Sequence, residues 1–222
     1  TGKPTKLCML VFGKGGTKQQ CGIPHEFGST GFGVAHSAKV AMDLLKLDMK
    51  GARVSIHGFG NVGTFVAHYL HGMGATIVAV ADKDGAIYAK EGLDVKKLLK
   101  LSSSRKPVAE YGKGNVIRPE DFWGIPVDIL IPASVTDVIN EKNKDSIKAK
   151  LIVEGANIPM REEIEKELWK KGICIVPDFV ANAGGVISSY AEYKGYNPKK
   201  MFDTVQRKII ASTTQVMKES LK

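Results

Sequence analysis

The chain has 222 residues, 43% of them hydrophobic and 25% charged, which excludes a disordered or low-complexity protein and suffices for one sizeable core. Its net charge of +9 comes from Lys and Arg dispersed among acids, densest over residues 90–106, with no aromatics interleaved; we therefore expect no nucleic-acid partner. Cys8, Cys21 and Cys174 are too scattered for a disulfide scaffold or a zinc site, and no apolar run approaches the roughly 18 residues of a membrane span. The expectation is a cytoplasmic globular protein without metal or membrane partner.

Residues 1–28, with mixed polarity and several glycines, read as an irregular lead-in; Thr1-Gly-Lys-Pro4 has no Met and reads as an internal cut. Residues 34–46 carry a helical pattern. Continuous apolar runs at 52–57, 75–81, 128–133, 151–156 and 173–177 predict parallel strands buried on both faces. Between the first two, Val62, Phe65, Val66, Tyr69, Leu70 and Met73 form one stripe at helical spacing. Further helices are expected over 93–102, 135–140 and 161–171, and residues 102–126 read as a long surface excursion. The tail from 182 to 222 is helical with a break at Gly195-Tyr-Asn-Pro198. This alternation predicts a doubly wound α/β domain over 29–222, with a mainly parallel sheet and helices on both faces.

Gly58-Phe-Gly-Asn-Val-Gly63 is G-x-G-x-x-G, directly after the first strand and opening the striped helix. The first glycine makes a tight turn, the second lets backbone approach a diphosphate, and the third lets helix and strand pack closely. The helix N-terminus then favours the anion. Asp82 ends the second strand, near the spacing of a ribose-binding acid. Its carboxylate favours NAD, and the adjacent Lys83 leaves NADP open. Ligands of open α/β sheets bind beyond the carboxyl ends of the strands. There the sequence places Pro132-Ala-Ser134, Gly155-Ala-Asn157 and Asn182-Ala-Gly-Gly185: small residues and two carboxamides, suited to a flat ring. Taken singly, Asn157 and Asn182 read as turn formers or caps.

These residues resemble a known family. The glycine fingerprint, Asp84-Gly-Ala-Ile-Tyr88, Ile147-Lys-Ala-Lys150, Glu154-Gly-Ala-Asn-Ile-Pro159 and Val176-Pro-Asp-Phe-Val-Ala-Asn-Ala-Gly-Gly-Val186 are similar to the nucleotide-binding domain of glutamate dehydrogenase, from about residue 29 to 192. Leucine and phenylalanine dehydrogenases share the glycine fingerprint and Asn-Ala-Gly-Gly-Val but usually lack Asp-Gly-x-Ile-Tyr and Glu-Gly-Ala-Asn-x-Pro. The resemblance implies a Rossmann-type cofactor domain of an enzyme that moves a hydride between nicotinamide and the α-carbon of glutamate, yielding 2-oxoglutarate and ammonia. It implies Gly58, Gly60, Asn61, Val62 and Gly63 at the diphosphate and Asp82 at the adenosine ribose. Ala133 and Ser134 would lie along the ribose path, Asn157, Asn182 and Thr30 near the nicotinamide, and Ser189 toward the substrate carboxylate. Thr30 alone reads equally as a helix N-cap, and Ser189 as a solvent-facing helical serine. A hexameric homo-oligomer is also implied.

The chain departs from the family pattern at Glu26 and Phe32, where arginines are usual, at Pro159-Met-Arg161, and in an apparent insertion over 6–20. The family's catalytic Lys and Asp belong to a preceding domain, so no catalytic residue is expected here and the isolated chain should be inactive. Lys14-Gly-Gly16 reads as a glycine loop. Alternatives are a leucine- or phenylalanine-type dehydrogenase domain, or a stand-alone dinucleotide-binding regulatory module. Elsewhere, His68 and His71 read as solvated, His57 as packed or hydrogen-bonded, and Cys174 as a buried small hydrophobe.

Overall fold

A computed structural model describes residues 28–112 and 115–222. Almost all of the lead-in, including Glu26, Lys14-Gly-Gly16, Cys8 and Cys21, lies outside the described residues. The helices are α1 (Ser29–Leu44), α2 (Asn61–Gly72), α3 (Val95–Ser103), α4 (Glu162–Lys170), α5 (Asp178–Ala181), α6 (Gly184–Tyr193) and α7 (Pro198–Ser220). The strands are β1 (Arg53–His57), β2 (Thr76–Asp82), β3 (Gly85–Tyr88), β4 (Val116–Ile117), β5 (Val127–Pro132), β6 (Ala149–Val153) and β7 (Cys174–Val176).

They form one seven-stranded sheet in the order β4-β3-β2-β1-β5-β6-β7. The five strands expected from apolar runs are parallel neighbours: β1 pairs with β2 and β5, β5 with β6, and β6 with β7. Their apolar continuity has the anticipated cause. In β5, Ile129 and Ile131 face the core under α1, α2 and α3, while Leu130 faces a second core under α4. The chain runs outward from β1 to β4, then returns to start again at β5. The order therefore reverses between β1 and β5, where an open α/β sheet parts its loops into a crevice.

The mainly parallel sheet is as expected; two expectations, for residues 135–140 and 102–126, need correction, and two features go beyond the sequence pattern. The sheet carries an antiparallel margin, β3 against β2 and β4 against β3, that the apolar runs did not announce. Residues 135–140 are not helical: the Asn140 side chain donates to the Asp137 carbonyl (3.0 Å) and the Asn143 side chain accepts the Asn140 N–H (2.9 Å). Such local bonds offer the backbone an alternative to a helix. The 102–126 stretch is no mere surface excursion. It holds 3-10 turns at Val108–Tyr111 and Pro119–Gly124, and Val108, Phe122 and Trp123 are buried. α1 also begins earlier than the apolar pattern suggests, at Ser29, after Gly28 in a left-handed conformation.

The C-terminal half locks onto α1 through buried hydroxyl pairs. Ser29 donates to Ser188 on α6 (3.0 Å), and Ser37 pairs with Thr213 on α7 (2.8 Å). A Cβ on Gly184 would lie 2.2 Å from the Ser29 carbonyl oxygen, so only glycine allows α6 this close to α1. The break before α7 falls where expected: Asn197 caps the Lys200 N–H (2.9 Å) and Pro198 starts the helix. Among the described residues no helix is long and apolar enough to cross a membrane, and no group of His, Cys, Asp and Glu is arranged for a metal.

Candidate functional site

The three fingerprint glycines have separate steric reasons. Gly58 has φ 103°, and a Cβ there would lie 2.6 Å from the Ala133 backbone. A Cβ on Gly63 would lie 1.9 Å from the Gly58 carbonyl oxygen, so this glycine lets α2 sit against the turn. Gly60 differs: its φ is −85° and a Cβ would meet nothing within 4 Å. Among the described residues no neighbour requires glycine at 60, and the space it leaves open faces the cleft. Gly60 is also the N-cap of α2, whose first turn carries no acidic side chain, so the helix end presents a positive field there.

Around this turn the carboxyl ends of the strands enclose a cleft with two lobes. The first, about 530 Å³, is lined by Gly58, Gly60, Asp82, Lys83, Ala133 and Ser134 of the expected residues. The second, about 810 Å³, is lined by Thr30, Val62, Ala133, Ser134, Asn157, Asn182 and Ser189. Ala133 and Ser134 belong to both and form the shared wall at the β1/β5 reversal. Of the expected site residues, only Asn61 and Gly63 line neither lobe. They lie in the turn itself, and Gly63 serves packing.

Asp82 is more constrained than its position in sequence suggests. One oxygen accepts the Asp84 N–H (2.8 Å) and the other the Val108 N–H (2.7 Å), so the carboxylate pins the 3-10 turn that closes the first lobe. Lys83 turns outward, 86% exposed, and pairs with Asp84 at 2.7 Å. The cations that line this lobe with it are Arg105 and Lys106, which the sequence reading did not single out. Their only advance signal was the basic patch before Pro107; Arg105 takes a left-handed backbone (φ 56°) in the cap that ends α3, where its N–H donates to the Ser102 carbonyl (2.9 Å) and the Lys106 N–H to the Leu101 carbonyl (3.0 Å).

His57, at the end of β1, is part of the first lobe's wall. Its Nδ1 lies 2.9 Å from Ser134 Oγ, and its ring stacks on Trp123 with centroids 4.6 Å apart. Burial lowers its pKa to about 4, so the imidazole is neutral at pH 7. The expected hydrogen-bonded histidine is thus what holds Ser134 at the junction of the lobes.

In the second lobe, Asn182 Nδ2 donates to Asn157 Oδ1 (2.8 Å) and to the Ala156 carbonyl (3.3 Å). Asn157 belongs to a turn tied down at several points. Thr136 donates to its carbonyl (3.0 Å), and the Ile158 N–H donates to Asp178 Oδ2 (2.8 Å). Ile158 has φ 45°, a conformation that costs a β-branched residue about 1–2 kcal/mol and persists only where neighbours impose it. Thr30 lies in the first turn of α1, and its Oγ1 would be 2.8 Å from a Cβ on Gly185. Ser189 is exposed on α6 and donates to the Gly185 carbonyl (3.3 Å). Val135 and Val186, 64% and 75% exposed, add an apolar rim. None of the described residues lining this lobe carries a titratable side chain. Its carboxamides and hydroxyls can orient a flat amide-bearing ring, and its described residues supply no acid or base.

Comparison with known proteins agrees with this geometry. The family model described as Glutamate/Leucine/Phenylalanine/Valine dehydrogenase matches residues 21–222. The chain is 44% identical over 193 residues to a glutamate dehydrogenase of Aeropyrum pernix, covering 87% of this chain and 43% of the relative. It is 42% identical over 193 residues to an NADP-specific glutamate dehydrogenase of Saccharolobus shibatae, again 87% and 43%. The hetero-hexameric glutamate dehydrogenase of Thermus thermophilus superposes with a TM-score of 0.74 at 28% identity, covering 85% of this chain and 45% of that one. The chain therefore spans less than half the length of these relatives. With a match over residues 21–222, it belongs to the Glutamate/Leucine/Phenylalanine/Valine dehydrogenase family.

Proposed function

We propose that these residues form the dinucleotide-binding part of an amino-acid dehydrogenase, and that the whole protein interconverts glutamate with 2-oxoglutarate and ammonia. The observation that carries the reading is the open space at Gly60 between two lobes, at the sheet's point of reversal. The relatives named glutamate dehydrogenase support the substrate, and they include both NADP-specific and NAD-specific enzymes.

In this reading the N-terminal turn of α2 takes the diphosphate. Asp82, Lys83, Arg105 and Lys106 surround the adenosine ribose, while Ser134, Asn157, Asn182 and Thr30 hold the nicotinamide half, with Ser189 at the rim toward substrate. A bound nicotinamide supplies the hydride chemistry; this chain supplies binding and orientation. Because no titratable group among the described residues lines the second lobe, proton transfer to the amino acid falls to residues beyond that lining. On this reading the chain by itself binds cofactor without turnover. Cofactor choice lies with the first lobe. Asp82 opposes a 2′-phosphate and the three cations favour it, so NAD with NADP accepted is the balance we assign. We extend oligomeric assembly and a cytoplasmic setting to the whole protein. The hetero-hexameric relative supports the first, and the absence of a disulfide framework from the cysteine spacing supports the second.

The test is calorimetric titration of the chain with NADH and NADPH, alongside Gly60→Val. Binding by the parent and none by the variant, with both equally folded by circular dichroism, is the expected result. Equal affinities would refute the site.

A further inference from the structure

We propose that Glu154 is a positioning residue for the nicotinamide half of the cleft: through Asp178 it holds the strained turn that presents Asn157 and Asn182. The inference rests on the dinucleotide reading above. Glu154 follows the last residue of β6 and is 1% exposed. Its Oε2 accepts the Asp178 N–H at 2.8 Å, at the start of α5, where the preceding Pro177 makes no side-chain cap bond. Asp178 Oδ2 in turn accepts the N–H of Ile158, the residue in the left-handed region. Asn157 and Asn182 close the circuit: Asn182 is the C-cap of α5, and its amide donates to Asn157 Oδ1. Glu154 thus anchors one end of a loop of contacts whose other end lines the second lobe.

The remaining oxygen, Oε1, is buried with no hydrogen-bond partner among the described residues. The charged groups facing the side chain are Glu165 on α4 and Asp178 at the head of α5; Lys166, beside Glu165, is committed to Glu162 at 2.6 Å. An ionised carboxylate there would be desolvated and repelled by both acids. Burial first, then Glu165, pushes the Glu154 pKa to about 8, against the opposing pull of the Asp178 N–H. The neutral acid keeps a carbonyl oxygen for that N–H. Ionisation adds repulsion against Asp178, the residue that restrains Ile158. The arrangement is intact at neutral pH and weakens as pH rises through about 8.

The experiment compares the parent chain with Glu154→Gln and Glu154→Ala. Calorimetry with NADH and with ADP-ribose, which lacks the nicotinamide, runs from about pH 6 to about pH 9, the window around the shifted carboxyl. Amide exchange at Asp178 and Ile158 is followed without cofactor. In the parent, NADH affinity falls about two- to tenfold across the alkaline half, the scale of one lost hydrogen bond, while ADP-ribose affinity holds. Glu154→Gln retains the acceptor, abolishes the pH dependence and keeps Ile158 protected. Glu154→Ala weakens NADH at every pH and speeds exchange at both amides. The proposal is overturned if Glu154→Gln keeps the parent's pH profile, or if Ile158 exchange is the same in all three. If NADH binds none of them, the dinucleotide reading has failed, and the exchange data alone still decide what Glu154 holds.

Discussion

On the β2 side of the cleft the walls carry Asp82, Lys83, Asp84, Arg105 and Lys106, whereas on the β5 side every described wall residue is uncharged. The two lobes share Ala133, Ser134 and Val135 and are similar in kind of backbone, strand ends and helix starts. Their chemistry is opposite. A charged lobe can discriminate ligands by sign, and its pairings are exposed and weak individually. An uncharged lobe built from carboxamides, hydroxyls and small residues can only orient. Under the dinucleotide-binding proposal, the difference divides labour, with recognition spread over one lobe and reactive geometry set by the other.

The largest expected effect tests whether the uncharged lobe suffices for chemistry. The chain mixed with NAD or NADP and glutamate should show binding by calorimetry but no appearance of reduced cofactor by absorbance. Orientation by a facing group is worth about 7–11 kcal/mol of barrier, enough to push turnover below detection when it is missing. Measurable turnover would mean that a proton-transfer group reaches the second lobe from the chain itself.

Next comes the turn between the lobes, where neighbouring glycines should fail differently. Gly63→Val places side-chain atoms against the Gly58 carbonyl and should lose about 1–3 kcal/mol of stability or more, read as a lower urea midpoint. Gly60→Val should leave that midpoint within about 0.5 kcal/mol of the parent while abolishing NADH binding. Equal destabilisation by both would show that Gly60 serves packing after all.

Asp82→Ser sharpens the contrast from the charged side. Removing the carboxylate should shift the NAD/NADP affinity ratio toward NADP by about 1–3 kcal/mol. Because Asp82 also accepts the Val108 and Asp84 N–H groups, Asp82→Asn is the control that retains one acceptor without the charge. A ratio unmoved in both variants would assign Asp82 to holding the turn alone.

The smallest effect concerns His57, which joins the lobes through Ser134. Its pKa is depressed from 6.5 to about 4 by burial, so the native state resists a proton the unfolded chain accepts. The stability it contributes is present above about pH 6.5 and is lost as pH falls toward 4. Urea midpoints over that range should fall more steeply for the parent than for His57→Gln. Parallel curves would show that His57 is not the group that titrates.

Much of the framework around this cleft is legible in the sequence. The five parallel strands announced themselves because burial on both faces demands uninterrupted apolar runs, and the fingerprint because its glycines answer three steric demands at fixed spacing. The β3–β4 margin was not legible: Gly85–Tyr88 is too short to show a period, and β4 is only two residues, Val116–Ile117. The 135–140 stretch misled because its apolar spacing suits a helix while Asn140 and Asn143 bind their own backbone. Arg105 and Lys106 read as solvated charge, since nothing local says that the chain will fold them over the end of β2.

Asn157 and Asn182 were expected from their place after the strands, and Thr30 and Ser189 from the family resemblance, whereas what the sequence by itself determined is the repeating part: the apolar strand runs, the helix stripe and the glycine turn. Those are local patterns, set by period and steric fit within a few residues. Tertiary structure alone decided which oxygens Asp82 has left to offer, that His57 holds Ser134 against Trp123, and that Glu154 sits buried between two acids. Each of these depends on groups more than ten positions apart in the chain, brought together by the sheet. A side chain's charge state and free hydrogen-bonding capacity are properties of those neighbours rather than of the residue.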